Sequence, residues 1–585
     1  MVGMAGTSFL LSALVMTYAV TWSAADLKDE APCASSIFCN GLLLKAAQNA
    51  MIYNDSKTFV DLHLKQSEDV ILQAFGELVD RTDANVMREF VAEYFDGPNI
   101  EFEDWEPSDW KENPGFIDGI KDDELKEWAR DLNELWKELG RQIKQDVLTN
   151  ADRYSLIHVE NPFIVPGGRF REFYYWDSYW IFKGLLLSEM TETVKGMLTN
   201  FVSISKSIGH VPNGNRVYYE KRSQPPFLIP SVYLYLQATD DIETIRTFLP
   251  DLEIEYQFWM TDRAIDITKD ANVYTLNRYN VNMGMPRPES YREDIETADG
   301  KNEEEAAEVY SNLASAAESG WDFSTRWFRD GATLGSIRTK EIVPVDLNSV
   351  LCLSEWALYE MYNTTGNESK AATYLQAFND RKRAISEVLW SEDEGAWFDY
   401  DIVDEDIVDQ FYPSNIMPMW ASCYDDTNDI QQQVLDYLKK EGVLEFPGGI
   451  PTSLTKSGQQ WDYPNAWPPL QDIVIETLRK SDVEEANDYA LKLAQNWTLT
   501  NWRAYKETDL MFEKYDVEKQ GVPGHGGEYA VQAGFGWTNG VIMSLLDHYG
   551  DQLEVGETGS SGHATVFILL NVVCLFAALI LARDE

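Results

Sequence analysis

Basic side chains are the scarcest feature of this 585-residue chain. Against 97 Asp and Glu stand 48 Lys and Arg, a formal net charge of -49. That balance excludes a surface for DNA or RNA, where binding relies on cations that displace counterions from phosphates. It also disfavours charge-driven adhesion to anionic membranes, and the acidity itself reads as solubility. Cysteine and histidine are few, five and six. Their spacing outlines no zinc site, and no metal or cofactor is expected. Segments of alternating polarity are scarce, so few strands are expected. No Gly- or Ser-rich linker divides the body of the chain, and no clear repeat is present.

Hydrophobic residues make up 44% and aromatics 13%, with 19 tryptophans. This is the composition of a folded protein with a sizeable core. Tryptophan serves large helical cores as well as carbohydrate clefts, where one apolar face and one hydrogen-bonding edge are both used. Leu125, Trp128, Leu132, Leu135, Trp136, Leu139 and Ile143 recur at spacings of three and four and predict a helix over Asp122–Gln145. Further helices are expected at Ile242–Phe248 and Asp251–Met260, with Pro250 breaking or kinking the chain between them. The series continues at Leu347–Tyr362, Lys370–Trp390, Ile430–Lys440, Pro469–Lys480, Val483–Trp497 and Gly540–Tyr549, while Trp397–Tyr400 is one of several short segments that could pair as hairpins. Helix pairs with long polar, aromatic loops gathered at one end are the expected layout.

Both ends look like targeting segments. Residues 1–25 hold the apolar run Phe9–Val20 and a small-residue exit, Ser23-Ala24-Ala25, as in a secretory signal peptide. Residues 551–563 read as a linker, and Ala564–Ala582 is apolar except for Thr565 and Asn571. That stretch fits either a single transmembrane helix or a glycolipid-anchor signal preceded by Gly559-Ser560-Ser561-Gly562. Either way the protein is expected at the extracellular side of the plasma membrane, attached through its C-terminal segment; its oligomeric state is open. Cys33 and Cys39 are close enough to close a small loop, whereas Cys352 and Cys423 either pair or are buried thiols. Sequons at Asn54, Asn363, Asn367 and Asn496 are candidate glycosylation sites.

The most informative stretch is Pro166–Trp180, with two arginines, two acids and seven aromatic rings after the double glycine Gly167-Gly168. Aromatic faces stack on the C–H face of a sugar ring, and Arg and Asp in fixed geometry bond its hydroxyls. An aromatic core segment with a surface arginine has the same composition. Other loops combine charge, rings and rigid turns: Pro212–Arg216, Arg222–Pro226, Pro286–Tyr291, Glu318–Trp327, Gln460–Pro469, Glu513–Asp516 and Gly524–Tyr529. Together they suit an uncharged, polyhydroxylated substrate. Cleaving a glycosidic bond takes two carboxyl groups, one protonated and one that attacks or activates water. The candidates are Asp177, Glu289, Asp322, Asp462, Glu513 and Glu528. Asp322 follows Gly320-Trp321, where burial beside an indole would raise its pKa; Glu513 precedes Lys514 and is placed to stay ionised.

Pro166–Trp180 and Gln460–Pro469 resemble the two signature patterns of the trehalase family of glycoside hydrolases, and the element before Glu528-Tyr529 resembles its glycine loop. The likeness runs from about residue 33 to 550, and the ends resemble animal, cell-surface members. It implies an all-α (α/α)6 barrel whose long loops form the cleft, over residues 151–550, with a helical region at 26–150 packed on it. It implies hydrolysis of the disaccharide α,α-trehalose to two glucose molecules with inversion. Carried over by position, Asp322 would be the general acid and Glu513 the general base. Arg169, Trp176, Asp177, Asn213, Arg222, Ser223, Gln224, Arg287, Pro288, Glu289, Gly320 and Glu528 would line the glucose subsites. His525 interrupts the family's glycine run; it enters the left-handed region less freely than glycine. Two other readings remain: an inverting glucosidase for another small α-glucoside, and a catalytically silent sugar receptor.

Overall fold

The computed structural model describes residues 31–425 and 428–556. The expectations for 1–25 and 564–582 lie outside these residues. Among the described residues no helix is long and apolar enough to cross a membrane.

The N-terminal part carries α1 (Leu42–Asn49), α2 (Glu68–Glu77), α3 (Ala84–Tyr94) and α4 (Asp123–Leu139). Then come α5 (Asp177–Leu187), α6 (Thr191–Ile208), α7 (Leu228–Thr239), α8 (Ile242–Asp262), α9 (Glu303–Ser319), α10 (Val345–Thr364) and α11 (Glu368–Val388). The described residues continue through α12 (Met417–Trp420), α13 (Asn428–Lys440), α14 (Pro468–Arg479), α15 (Glu484–Thr508) and α16 (Gly536–Tyr549). Strands are short; among the described residues the longest pair is the antiparallel hairpin Ala264–Lys269 with Asn272–Asn277.

Six helices touch in cyclic order, α5 to α7 to α10 to α12 to α14 to α16 and back to α5. A second layer backs them: α6 on α5 and α7, α8 on α7 and α10, α11 on α10, α15 on α14 and α16, and α4 on α16. The sequence explains which helix goes where. In α14 nearly every side chain is buried, Asp472 and Gln471 included, as an inner helix covered on all sides requires. In α15 only a stripe from Ala486 through Ala490, Leu493, Ala494 and Trp497 to Ala504 is buried, as suits a helix with one wet face. This is the (α/α)6 arrangement, with the helical N-terminal region against it.

Most helices lie where periodicity predicts them. Asp122 caps α4 by accepting from the backbone N–H groups of Glu124 and Leu125 at 2.9 and 3.0 Å. The helix ends six residues before the expected Gln145, because Gly140–Ile143 instead pairs with Phe102–Asp104 on one side and Phe163–Ile164 on the other. Pro250 does not divide α8, which is helical throughout. Ile245, Phe248, Leu249, Leu252 and Trp259 are buried on both sides of the proline, and that packing outweighs one missing backbone donor. Helix α9 was not read from the sequence, although Asn302 and Glu305 form a capping box at its start. Trp390–Ser391 pairs with Ala396–Trp397, and Tyr400–Asp401 pairs with Asp406–Ile407, so the hairpin expectation holds with different partners.

Residues of α1, α2 and α3 form their own apolar cluster, and it meets the main body at Tyr174, Tyr218 and Tyr219. A disulfide joins Cys33 to Cys39 within this unit. A second joins Cys352 in α10 to Cys423, resolving the alternative left open by the sequence.

Candidate active site

Loops from one end of the helix ring converge on a narrow cleft lined by arginines, carboxyl groups and aromatic rings. Of the expected residues, Arg169, Trp176, Asp177, Asn213, Arg222, Gln224, Arg287, Glu289, Gly320, Asp322, Glu513 and Glu528 line it. Ser223 and Pro288 do not. The Ser223 hydroxyl donates to the Val211 carbonyl at 2.6 Å and its N–H to Glu318 at 2.9 Å, which fixes the loop between Arg222 and Gln224. Pro288 opens the turn Pro288–Ser290 that carries Glu289.

The loop before α5 supplies the aromatic wall. Phe170 meets Tyr174, Tyr529 and Phe535 edge to face, with centroids 5.1 to 5.9 Å apart. Trp176 stands edge-on to Trp537 at 5.9 Å. Gly320 ends α9 at φ +76°, and a Cβ there would lie 2.8 Å from the Trp176 ring, so only glycine lets the ring close on this turn. Trp461 stacks on Trp467 at 3.8 Å and on Trp321 at 5.3 Å. These rings hold one another and give the cleft rigid apolar faces.

Three arginines are held by carboxylates. Arg169 forms a fork with Asp55, Nε to Oδ2 2.9 Å and Nη2 to Oδ1 2.8 Å. Arg222 donates to Glu289 at 2.6 Å, and Arg287 to Asp294 at 2.6 Å and to Glu528 at 3.0 Å. Arg222 Nε and Glu289 Oε2 are buried with no partner among the described residues. Unmade hydrogen bonds at buried groups are costly, and a hydroxylated ligand in the cleft supplies the missing partners.

Burial pushes several carboxyl groups upward. Asp322 is raised to about 6, chiefly by burial, with Glu513 adding to the rise and Arg287 and Arg222 opposing it. Glu513 is raised by burial, against Lys514, the Tyr529 hydroxyl donating at 2.9 Å and the Gln532 N–H at 3.4 Å. Asp177, at the first turn of α5, is pushed up to about 8 by burial, with Glu513 and Asp322 adding to it. Glu528 reaches about 7 through burial despite Arg287. The cleft therefore holds several carboxyl groups biased toward the protonated form, and Glu513, expected from its neighbour Lys514 to stay ionised, is among them because burial outweighs that cation.

Asp462, a candidate carboxylate in the sequence, lies outside the cleft. It accepts from Ser324, Thr325, Ser453 and Ser457 hydroxyls at 2.9, 3.0, 2.8 and 2.5 Å, and from the Thr325 N–H at 2.9 Å. It ties the segments around Ser324 and Ser453 together instead of facing the cleft. Sequence reasoning missed Tyr219 and Trp537, which also line the cleft. Neither stands in the charged, turn-rich loops that drew attention. It missed Asp55 too, whose only local mark is a place inside the sequon Asn54-Asp55-Ser56.

His525 bears no strain in the glycine loop. Gly526 and Gly527 take the positive φ values, +83° and +89°, whereas His525 stays out of the left-handed region. Its N–H and C=O both bond the Asn465 side chain, at 2.9 and 2.7 Å.

Known proteins agree with this arrangement. The sequence model of the family described as Trehalase matches residues 51–550. The chain is 50% identical over 544 residues to a trehalase of Apis mellifera, covering 91% of this chain and 87% of the bee protein. It is 48% identical over 532 residues to a trehalase of Homo sapiens, covering 90% and 91%. The solved structure of a neutral trehalase from Saccharomyces cerevisiae shares the fold, with a TM-score of 0.53 and 24% identity over 66% of this chain and 73% of the yeast chain. With that family match over most of its length, the chain belongs to the trehalase family of glycoside hydrolases.

Proposed function

We propose that the protein hydrolyses α,α-trehalose to two glucose molecules, with inversion at one anomeric carbon. The observation that carries this reading is the meeting of Asp322 and Glu513, far apart in sequence, in one cleft, with Lys514, the Tyr529 hydroxyl and the Gln532 N–H favouring the ionised form of Glu513 against its burial. Glu513, steadied as an anion by Tyr529 and the Gln532 N–H, takes a proton from water. The hydroxide so formed bonds to the anomeric carbon of one glucosyl unit as its bond to the bridging oxygen breaks. Asp322 gives its proton to that oxygen, and the second glucose leaves. Solvent then returns a proton to Asp322 and removes one from Glu513. The arginines and the tryptophan faces hold the two sugars.

Proton NMR of the first products tests the stereochemistry. Inversion releases α- and β-glucose in equal amounts, whereas α-glucose alone would overturn it. Glucose release from trehalose but not from maltose or sucrose supports the substrate. A carboxyl separation of roughly 6.5–9.5 Å is required to admit the water.

We also place the enzyme at the cell surface. Two disulfides and exposed sequons at Asn363 and Asn367 suit an oxidising, secretory compartment. Activity measured on intact cells, before and after phospholipase treatment, tests both the location and the kind of anchor.

A further inference from the structure

Lys514 follows the proposed base and is entirely buried. It does not line the cleft, so it cannot bind the sugars directly. A lysine in such a place carries a large desolvation cost and is retained only with compensating partners. Its ammonium has three. Nζ lies 4.0 Å from Glu513 Oε2, donates to Gln460 Oε1 at 2.6 Å and reaches the Gly526 carbonyl at 3.5 Å. It also sits 4.9 Å above the centre of the Trp467 ring, a stabilising contact for a cation. Gln460 has its amide group turned the other way, and its Nε2 donates to the Asp322 backbone carbonyl at 2.6 Å. The other charged and titratable groups facing Glu513 are Tyr529, Arg169, Asp322 and Asp177.

We propose that Lys514 is a positioning residue for both carboxyl groups: its buried ammonium faces Glu513 directly and is tied through Gln460 to the backbone of Asp322. The same ammonium pins Gly526 in the glycine loop, so the base, the acid and the loop bearing Glu528 share one anchor. Gly527 packs against Gln460 so closely that a Cβ would lie 2.8 Å from its side chain, which leaves the tie no room to shift. A cation near two carboxyls favours the ionised form of each. Burial depresses the Lys514 pKa while Glu513 and Asp322 oppose that fall, as mutual interaction requires.

The inference rests on the acid and base assigned above. The experiment is the pH dependence of kcat/KM on trehalose for the full-length enzyme and for Lys514→Met. Loss of the cation raises the pKa of both carboxyls, so both limbs of the bell move to higher pH by about one to three units. Gln460→Glu places a carboxylate against the ammonium and neutralises it without removing it. This second variant avoids a buried hole, and its limbs move in the same direction. Lys514→Arg keeps the charge, and its limbs stay near the native positions even where kcat falls. A role confined to packing lowers activity or melting temperature and leaves the limbs in place. Unmoved limbs in any folded Lys514→Met or Gln460→Glu enzyme would overturn the proposal. Activity surviving in Asp322→Asn or Glu513→Gln would overturn the acid and base assignment instead, so the two failures are distinguishable.

Discussion

Arg169 and Asp55 join the N-terminal unit to the cleft through a two-pronged ion pair, with both contacts under 3 Å. The guanidinium also lies 4.6 Å above the Tyr529 ring, so its plane is set from two sides. We expect Asp55→Asn to leave Arg169 present but free to turn. KM for trehalose should rise about tenfold with kcat changed less, since orientation of a sugar-binding group is lost in ground and transition states alike. The pair is partly exposed, so the melting temperature should move little. Steady-state kinetics with a melting curve checks both.

Asp322 is expected to set the alkaline limb of the pH profile. The proposed acid must carry a proton, and its pKa is about 6. Activity should therefore fall as pH rises through about 6. The effect on stability has the same sign. The folded-state value lies above the unfolded one, so the proton favours the fold at low pH and that contribution is lost as pH rises through about 6. Asp322→Asn should abolish activity yet melt higher than the native enzyme at pH 8, by on the order of 2 kcal/mol, and no higher at pH 4. A lower melting point at pH 8 would refute this.

Asp177 is raised further than Asp322, and kinetics can separate their roles. A protonated carboxyl that only bonds sugar hydroxyls is well replaced by an amide, so Asp177→Asn should lose about tenfold in kcat/KM. Asp322→Asn should lose about 10²- to 10⁴-fold. The reverse order would transfer the acid role to Asp177.

Asp462→Ala should unfold the enzyme more readily although it touches no substrate. The change removes the acceptor of four hydroxyls, three of them on buried residues, and of a buried backbone N–H. A loss of about 3 kcal/mol or more is expected, readable by chemical denaturation.

Breaking the bond between Cys352 and Cys423 frees a segment closed over a separation of 71 residues. Replacing both cysteines by serine should cost about 2–4 kcal/mol without changing kcat/KM, because the pair lies away from the cleft.

Much of the site was legible in the sequence because its groups come in compact, unusual clusters. Arg169, Trp176 and Asp177 lie within one aromatic stretch, and Arg287 and Glu289 flank a single proline. What the chain could not announce are partners brought in from far away. Asp55 looks like any surface acid until Arg169 is folded beside it. Asp462 sits in a motif as conspicuous as the true cleft residues, and only folding surrounds it with Ser324, Thr325, Ser453 and Ser457. Local rules failed where tertiary packing was strong. Pro250 was expected to break or kink the chain, and the flanking apolar side chains keep one helix running through it. The short side chains of α9, rich in alanine and serine, hid its period, although they are what lets it be buried along most of its length.

The ring in which α16 closes against α5 also has a meaning for the order of synthesis. The ribosome releases α5 well before α16, so the apolar face shared by the two waits uncovered while some 350 residues emerge. A transcript cut short before Gly536 would encode both carboxyls and most of the cleft, yet leave the ring unclosed. Such a nascent chain exposes apolar surface of the kind that drives aggregation, and α16 acts as the clasp that covers it.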